Sequence, residues 1–177
     1  MTYHKIFLDG IMHMGDMLMT ASVLPVLRKH CPDAEIVYLA TADLAFVAEM
    51  LDGVDRVIPY AYKSGGGTRD VFRIARNLGR EKFDLGISLD PRERVTLMKW
   101  LARMPVRLSM EQGLGWKLGW EKMLYTQDLP LPPGWEFEVH SLSANFQQML
   151  RLYFHDADSQ YVSPRFKPFT QEIEAWC

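Results

Sequence analysis

The sequence predicts an α/β fold: a Rossmann-like, doubly wound domain with a mostly parallel sheet. Three observations predict it. Short β-rich apolar runs alternate with longer segments whose apolar residues recur at helical spacing. The run "EIVYLA" at 35–40 is apolar on both faces, as a strand covered by helices on both sides must be. Helices also separate the strands, which implies right-handed crossovers and parallel pairing.

The elements follow in order. Residues 3–8 read as a first strand, and residues 16–31 as a helix of about four turns. The β-rich 35–40 is the second strand. Residues 41–51, "TADLAFVAEML", read as a helix with Thr41 as its N-cap. Residues 56–60 form a short strand. Residues 68–82 form an amphipathic helix with Val71, Ile74, Ala75 and Leu78 on one face. A buried strand at 83–89, a helix at 93–103 and a fifth strand at 106–109 complete the regular pattern. Beyond Met110 the pattern degrades through Trp116, Trp120 and the Pro-rich 129–134, then recovers in a helix at 139–153. Another helix is expected to begin near Thr170.

Composition narrows the function. With 177 residues, 48% hydrophobic and 24% charged, the chain has the size and make-up of one globular domain, or of one domain and a piece of the next. A net charge of -2 argues against a surface built wholly for nucleic acid. Two cysteines, Cys31 and Cys177, provide neither a disulfide framework nor a metal-ligand spacing, and point to a cytoplasmic location. No signal peptide is evident, and no apolar run approaches the ~20 residues needed to span a bilayer.

In open α/β sheets ligands bind beyond the carboxyl ends of the strands. The loop after the first strand, "LDGIMHMGDMLMT", is such a place, as are Ser64-Gly65-Gly66-Gly67 and Asp90-Pro91-Arg92. The opening loop lacks the Gly-x-Gly-x-x-Gly of a dinucleotide site and the Gly-Lys-Ser/Thr of a P-loop, and Asp16 sets a negative charge where a phosphate would sit. Two readings of Asp16 remain. It is a helix N-cap, worth about 1 kcal/mol, or a general base that takes the proton of an acceptor hydroxyl late in bond formation. The two are compatible.

Five motifs in order resemble the start of the bacterial heptosyltransferases of glycosyltransferase family 9. Gly15-Asp16 is followed by Leu27-Arg28-Lys29-His30-Cys31-Pro32-Asp33-Ala34-Glu35-Ile36, similar to the family's "LR+xxPxAxI". Asp55-Arg56-Val57-Ile58 resembles "VDRVI". Residues 82–90 resemble "+FDLVIDL", residues 103–107 resemble "xxAPxR+G", and His140, Asn145 and Leu150 resemble "HxxxxNxxLL". The resemblance implies the N-terminal half of a GT-B fold, with residues 1–158 as an acceptor-binding Rossmann-like domain. It implies that 159–177 begin an interdomain linker or helix, and that a donor-binding C-terminal domain is missing from a cut chain.

It further implies an inverting glycosyltransferase with Asp16 as catalytic base. The donor would be a nucleotide sugar such as ADP-heptose, held by the absent domain. The acceptor would be a lipopolysaccharide core or another glycan or glycolipid. Neither cofactor nor metal nor nucleic-acid partner is implied. A peripheral contact with the inner membrane would fit, and this chain alone should be inactive. Acceptor contacts fall on Gly15, His13, Asp90, Arg92, Arg94 and Lys99, where the cations would meet anionic groups of the acceptor. For Arg92, Arg94 and Lys99 an ordinary solvated helix N-terminus is an equal reading. His140 reads as structural, and Trp116, Trp120 and Leu124 as packing rather than a membrane contact.

There are departures from the family pattern. Met12-His13-Met14 replaces a small or glycine-containing turn. Where many members carry Pro, this chain has Ser22, with Pro25 three residues later, which should kink or restart the helix. A stand-alone, non-catalytic binding module is the alternative function, and a Rossmann-like oxidoreductase a weaker one.

Overall fold

The computed structural model describes residues 2–10, 13–61, 68–89, 93–110, 121–129, 133–134, 140–156 and 160–168. Its centre is a six-stranded sheet in which all five pairings are parallel. The strands are β1 (Lys5–Gly10), β2 (Glu35–Thr41), β3 (Arg56–Tyr60), β4 (Leu85–Ser88), β5 (Val106–Met110) and β6 (Gln127–Leu129). Their spatial order is β3-β2-β1-β4-β5-β6. The helices are α1 (Met14–Thr20), α2 (Val23–His30), α3 (Ala45–Glu49), α4 (Thr68–Glu81), α5 (Glu93–Leu101) and α6 (Leu142–Phe154).

Strand alternation sorts the core into two layers. Ile6, Leu8, Ile36, Tyr38 and Ile87 face one side and pack on Leu24, Leu27, Phe146 and Met149 of α2 and α6. Phe7, Val37 and Leu39 face the other and pack on Val71, Ala75 and Leu78 of α4 and on Val95 and Met98 of α5. Because β1 and β4 send their chains to helices on opposite faces, the sheet has its topological switch point between them.

Several elements differ from the sequence expectation, each for a physical reason. The long helix 16–31 is two helices broken at Ala21–Ser22. Pro25 has no N–H to give the Ala21 carbonyl, so that carbonyl takes the Leu24 N–H instead (3.0 Å) and α2 restarts with Pro25 in its first turn. At the break Ser143 of α6 donates to the Met19 carbonyl (2.8 Å) and lies 2.6 Å from the Ser22 hydroxyl. The predicted helix 41–51 is a 3-10 turn at Ala42–Leu44 followed by the short α3. Thr41 precedes it in extended backbone but makes no side-chain capping bond. Strand β6 was not foreseen: three residues are too few to show a period. The helix at 139–153 starts later, at Leu142, where Ser141 caps by accepting the Ala144 N–H at 3.2 Å. The helix expected from Thr170 lies outside the described residues.

Most of the family-like motifs hold the strands by their N-terminal ends. Arg28 donates to the Ala34 carbonyl (2.6 Å), the Gly53 carbonyl (2.8 Å) and the Asp55 carboxylate. Asp55 in turn accepts the Ile36 N–H at 2.7 Å, so one pair ties α2 to the starts of β2 and β3. Asp84 accepts the N–H groups of His4 (2.7 Å) and Lys5 (2.9 Å) at the start of β1. Arg107 donates to the Leu124 and Met104 carbonyls. Segment 160–168 is strapped back onto the domain: Gln147 bonds both backbone groups of Val162, at 2.6 and 3.0 Å, and Phe166 bridges to Leu51.

An ion-pair cluster also closes this edge. Lys5 lies 2.9 Å from both Glu35 and Glu81, and Arg56 pairs with the same two carboxylates. Partial burial pushes Glu35 and Glu81 up, but bonds from Lys5 and Arg56 outweigh it and hold both below the ordinary value of 4.5. Their stabilisation is therefore present above the unfolded pKa and is lost as pH falls below 4.5 through the lowered folded values. Glu81→Gln should narrow the gap in urea midpoint between about pH 7 and about pH 3. An unchanged gap would show that the cluster is not part of the acid response.

Candidate functional site

The switch point between β1 and β4 is built on a buried polar network. Asp9 and Ser88 are register partners near the carboxyl ends of these strands, and both side chains face the α4–α5 side. Asp9 is 0% exposed. Its Oδ1 accepts the Leu89 N–H at 3.0 Å, the first backbone group past β4. Its Oδ2 accepts a hydrogen bond from Lys99 Nζ, which also donates to Ser88 Oγ. Ser88 Oγ lies 3.5 Å from the Tyr125 hydroxyl, and Thr96 Oγ1 lies 2.7 Å from the same hydroxyl.

Local sequence makes this possible. Lys99 lies on the side of α5 that carries Val95 and Met98 into the core, so its stem must cross β4 to reach β1. A Cβ on Gly86 would lie 3.1 Å from Lys99 Cδ and 2.8 Å from Met104 Sδ. The glycine leaves the corridor through which the lysine runs. At the end of β1, a Cβ on Gly10 would fall 1.9 Å from the Tyr38 hydroxyl, so the chain can leave β1 over that ring only as glycine.

Above this floor the chain enters α1. His13 is the N-cap, in extended backbone (φ -70, ψ 159), with no side-chain capping bond. The Met17 N–H returns to the His13 carbonyl at 3.0 Å. Asp16 is therefore not the N-cap expected from sequence. It lies in the first turn, half-buried, where its charge complements the helix dipole. Gly15 is exposed, and a Cβ placed on it would meet nothing within 4 Å.

The other sequence candidates divide. Arg94 is exposed in the first turn of α5. Asp90 and Arg92 lie outside the described residues. Lys99 is not on a solvated helix N-terminus: it is 0% exposed and its ammonium is occupied by Asp9 and Ser88, so it does not present a charge to a ligand here. Asp9 was missed, although it stands in the opening stretch. Its only signal was a carboxylate inside an apolar strand run, with a lysine on a distant helix. Among the described residues no group of three or more His, Cys, Asp or Glu could hold a metal ion, and no helix is long and apolar enough to cross a membrane.

The parallel sheet, its strand order and the switch point define an α/β, Rossmann-like fold of the kind that forms the N-terminal half of GT-B glycosyltransferases. No family model matches the chain, and no curated protein matches it in sequence. Solved structures do match in fold. They include the glycosyl transferase family 9 protein from Veillonella parvula, with a TM-score of 0.73 and 20% identity, covering 96% of this chain and 46% of that one. E. coli ADP-heptose lps heptosyltransferase II matches at 0.72 and 19%, covering 98% and 49%. E. coli heptosyltransferase WaaC with ADP matches at 0.67 and 15%, covering 92% and 50%. The chain thus spans about half the length of these proteins.

The buried pair has a direct consequence for stability. Lys99→Met removes the ammonium that donates to the buried Asp9 carboxylate and should cost about 3–5 kcal/mol. Adding Asp9→Asn keeps an oxygen for the Leu89 N–H and removes the stranded charge, so the double variant should regain more than half of that loss. Urea unfolding of both reads the outcome, and simple additivity would contradict the pairing.

Proposed function

We propose that this chain is the acceptor-binding half of an inverting glycosyltransferase. The whole enzyme would transfer heptose or a related sugar from a nucleotide sugar such as ADP-heptose. The acceptor would be a lipopolysaccharide core or another glycan, reached from the cytoplasmic side. The observation that supports this reading is the position of Asp16: first turn of α1, half-buried, next to the exposed Gly15, at the switch point of a fold shared with heptosyltransferases.

In this reading an acceptor hydroxyl lies beside Asp16. As its oxygen bonds to the electrophilic sugar carbon, its proton passes to the Asp16 carboxylate, and the nucleotide leaves with the bonding electrons. A weak base suffices because the proton moves late. His13, Gly15 and Arg94, with Asp90 and Arg92, would contact the acceptor. Lys99 would act from below, through Asp9 and Ser88, on the place where the β4–α5 connection begins. The donor would bind the half of the enzyme that the relatives have and the 177-residue sequence does not cover.

The test is a chimera that joins this chain to the second half of a heptosyltransferase. Because Asp16 does not cap α1, Asp16→Asn and Asp16→Ala should both alter stability by only about 0.3–1 kcal/mol. Both should lower transfer by about 10²-fold or more, in kcat rather than in acceptor KM. An Asn variant that keeps most of its transfer would remove Asp16 from the mechanism.

A further inference from the structure

The break between α1 and α2 holds a buried hydroxyl cluster that the proposed chemistry does not use. Ser143, in the first turn of α6, is 4% exposed, and Ser22, at the break, is 0% exposed. Ser143 Oγ lies 2.8 Å from the Met19 carbonyl oxygen, 2.6 Å from Ser22 Oγ and 3.0 Å from the Tyr161 hydroxyl. A serine hydroxyl has one proton to donate and two lone pairs to accept with. A carbonyl can only accept, so the Ser143 proton goes to Met19, while Ser22 and Tyr161 donate into the lone pairs. All three positions are then filled and the hydroxyl has one direction left. Without Tyr161 the Ser143 proton is free to turn to Ser22 Oγ. Among the described residues the other donor to the Met19 carbonyl is the Ser22 N–H, at a long 3.4 Å.

This bears on Asp16 because α1 is short. Seven residues make two turns, too few to keep a direction by themselves. His13 makes no side-chain capping bond at its start. Met17 and Thr20 are buried and seat the helix on the core, and the Met19 carbonyl is its polar tie at the far end. Asp16 stands three residues before Met19, one turn away on the same side of the helix. A turn of α1 at the Met19 end therefore swings the Asp16 carboxylate.

The plain reading of the cluster is that it covers a helix break. A break needs one donor for its freed carbonyl, and Ser143 alone supplies that. Tyr161 is 52% exposed, so water can satisfy its hydroxyl without the bond. What the bond does is fix the direction of the Ser143 proton. The segment that bears Tyr161 is itself pinned. Gln147 holds both backbone groups of Val162, the Asp52 N–H donates to the Arg165 carbonyl at 2.9 Å, and the Lys167 N–H donates to the Met50 carbonyl at 2.8 Å. Residues 160–168 thus form a braced strip, within the stretch expected to lead toward the donor-binding half.

We infer that Ser143 and Tyr161 are positioning residues for Asp16. Through the Met19 carbonyl they set the direction of α1, and they make that direction depend on the seating of residues 160–168. Lifting the strip frees the Ser143 proton and lets α1 turn, so the base is fully aimed only while the strip is down. Neither residue touches the acceptor. The inference rests on the reading of Asp16 as general base.

Two readouts test it, one of which needs no activity. Amide hydrogen exchange on the 177-residue chain should show α1 exchanging about fivefold faster in Ser143→Ala and in Tyr161→Phe, the factor one hydrogen bond is worth, with β1 and β2 unchanged. Lys167→Met, which cuts the bond from Lys167 Nζ to the Glu49 carbonyl on the same strip, should leave α1 as it is. In the chimera both variants should lower kcat about tenfold with acceptor KM unchanged, and neither should lower the residual transfer of Asp16→Asn. Exchange of α1 no faster than in Lys167→Met would overturn the inference and leave the Asp16 reading standing. A loss of transfer as large in the Asp16→Asn background would also overturn it, since the two residues would then act apart from the base. Full transfer by the Asp16→Asn chimera would overturn both readings together.

Discussion

The buried ion pair between Asp9 and Lys99 is the interaction on which the centre of this structure depends. Both side chains are 0% exposed, so each has lost its hydration and must find full compensation inside. Among the described residues the carboxylate meets the Lys99 ammonium and the Leu89 N–H, and the ammonium meets Asp9 and Ser88. Such a pair is stable only if β1, β4 and α5 are all in place, with Gly86 leaving room for the lysine stem. The contribution is one of specificity as much as of energy. A one-residue slip between β1 and β4 would turn Ser88 away from Asp9 and strand a charge.

That constraint divides the sheet into two ends with different work. At the amino ends of the strands, charged side chains are consumed in holding backbone: Arg28 with Asp55, Asp84 on β1, Arg107 on the turn before β5 and on Leu124. At the carboxyl ends the network is buried, and the first turn of α1 above it carries the exposed Gly15 and the half-buried Asp16. The break between α1 and α2 serves the same geometry. It lets the short α1 set its own direction, and its freed Met19 carbonyl is met by Ser143 of α6.

Much of the fold was legible in the sequence because its signals are local. Five strands and most helices follow from period and composition, and Pro25 announced the break in the long helix. What failed was short or non-local. Three-residue β6 has no period to read, and the 41–51 helix shortened because its first residues form a 3-10 turn instead. The motifs pointed to the right fold, yet Arg28, Asp55, Asp84 and Arg107 turn out to brace backbone rather than to line a site. The candidate site was legible only in part. A Gly-Asp pair at a strand–helix junction is visible, but Asp16 was placed at the cap position, which His13 takes. Lys99 reads as one more surface cation because its partner stands ninety residues away. No local pattern reports a contact between a residue of the first strand and the inner face of a helix in the fourth crossover.

The carboxyl edge of this sheet is proposed to hold an acceptor while the donor is held elsewhere. Titration calorimetry of the chain with a lipopolysaccharide core oligosaccharide and, separately, with ADP-heptose tests it directly. Saturable heat with the oligosaccharide and none with the nucleotide sugar is the predicted result. Heat with ADP-heptose and none with the oligosaccharide would contradict it.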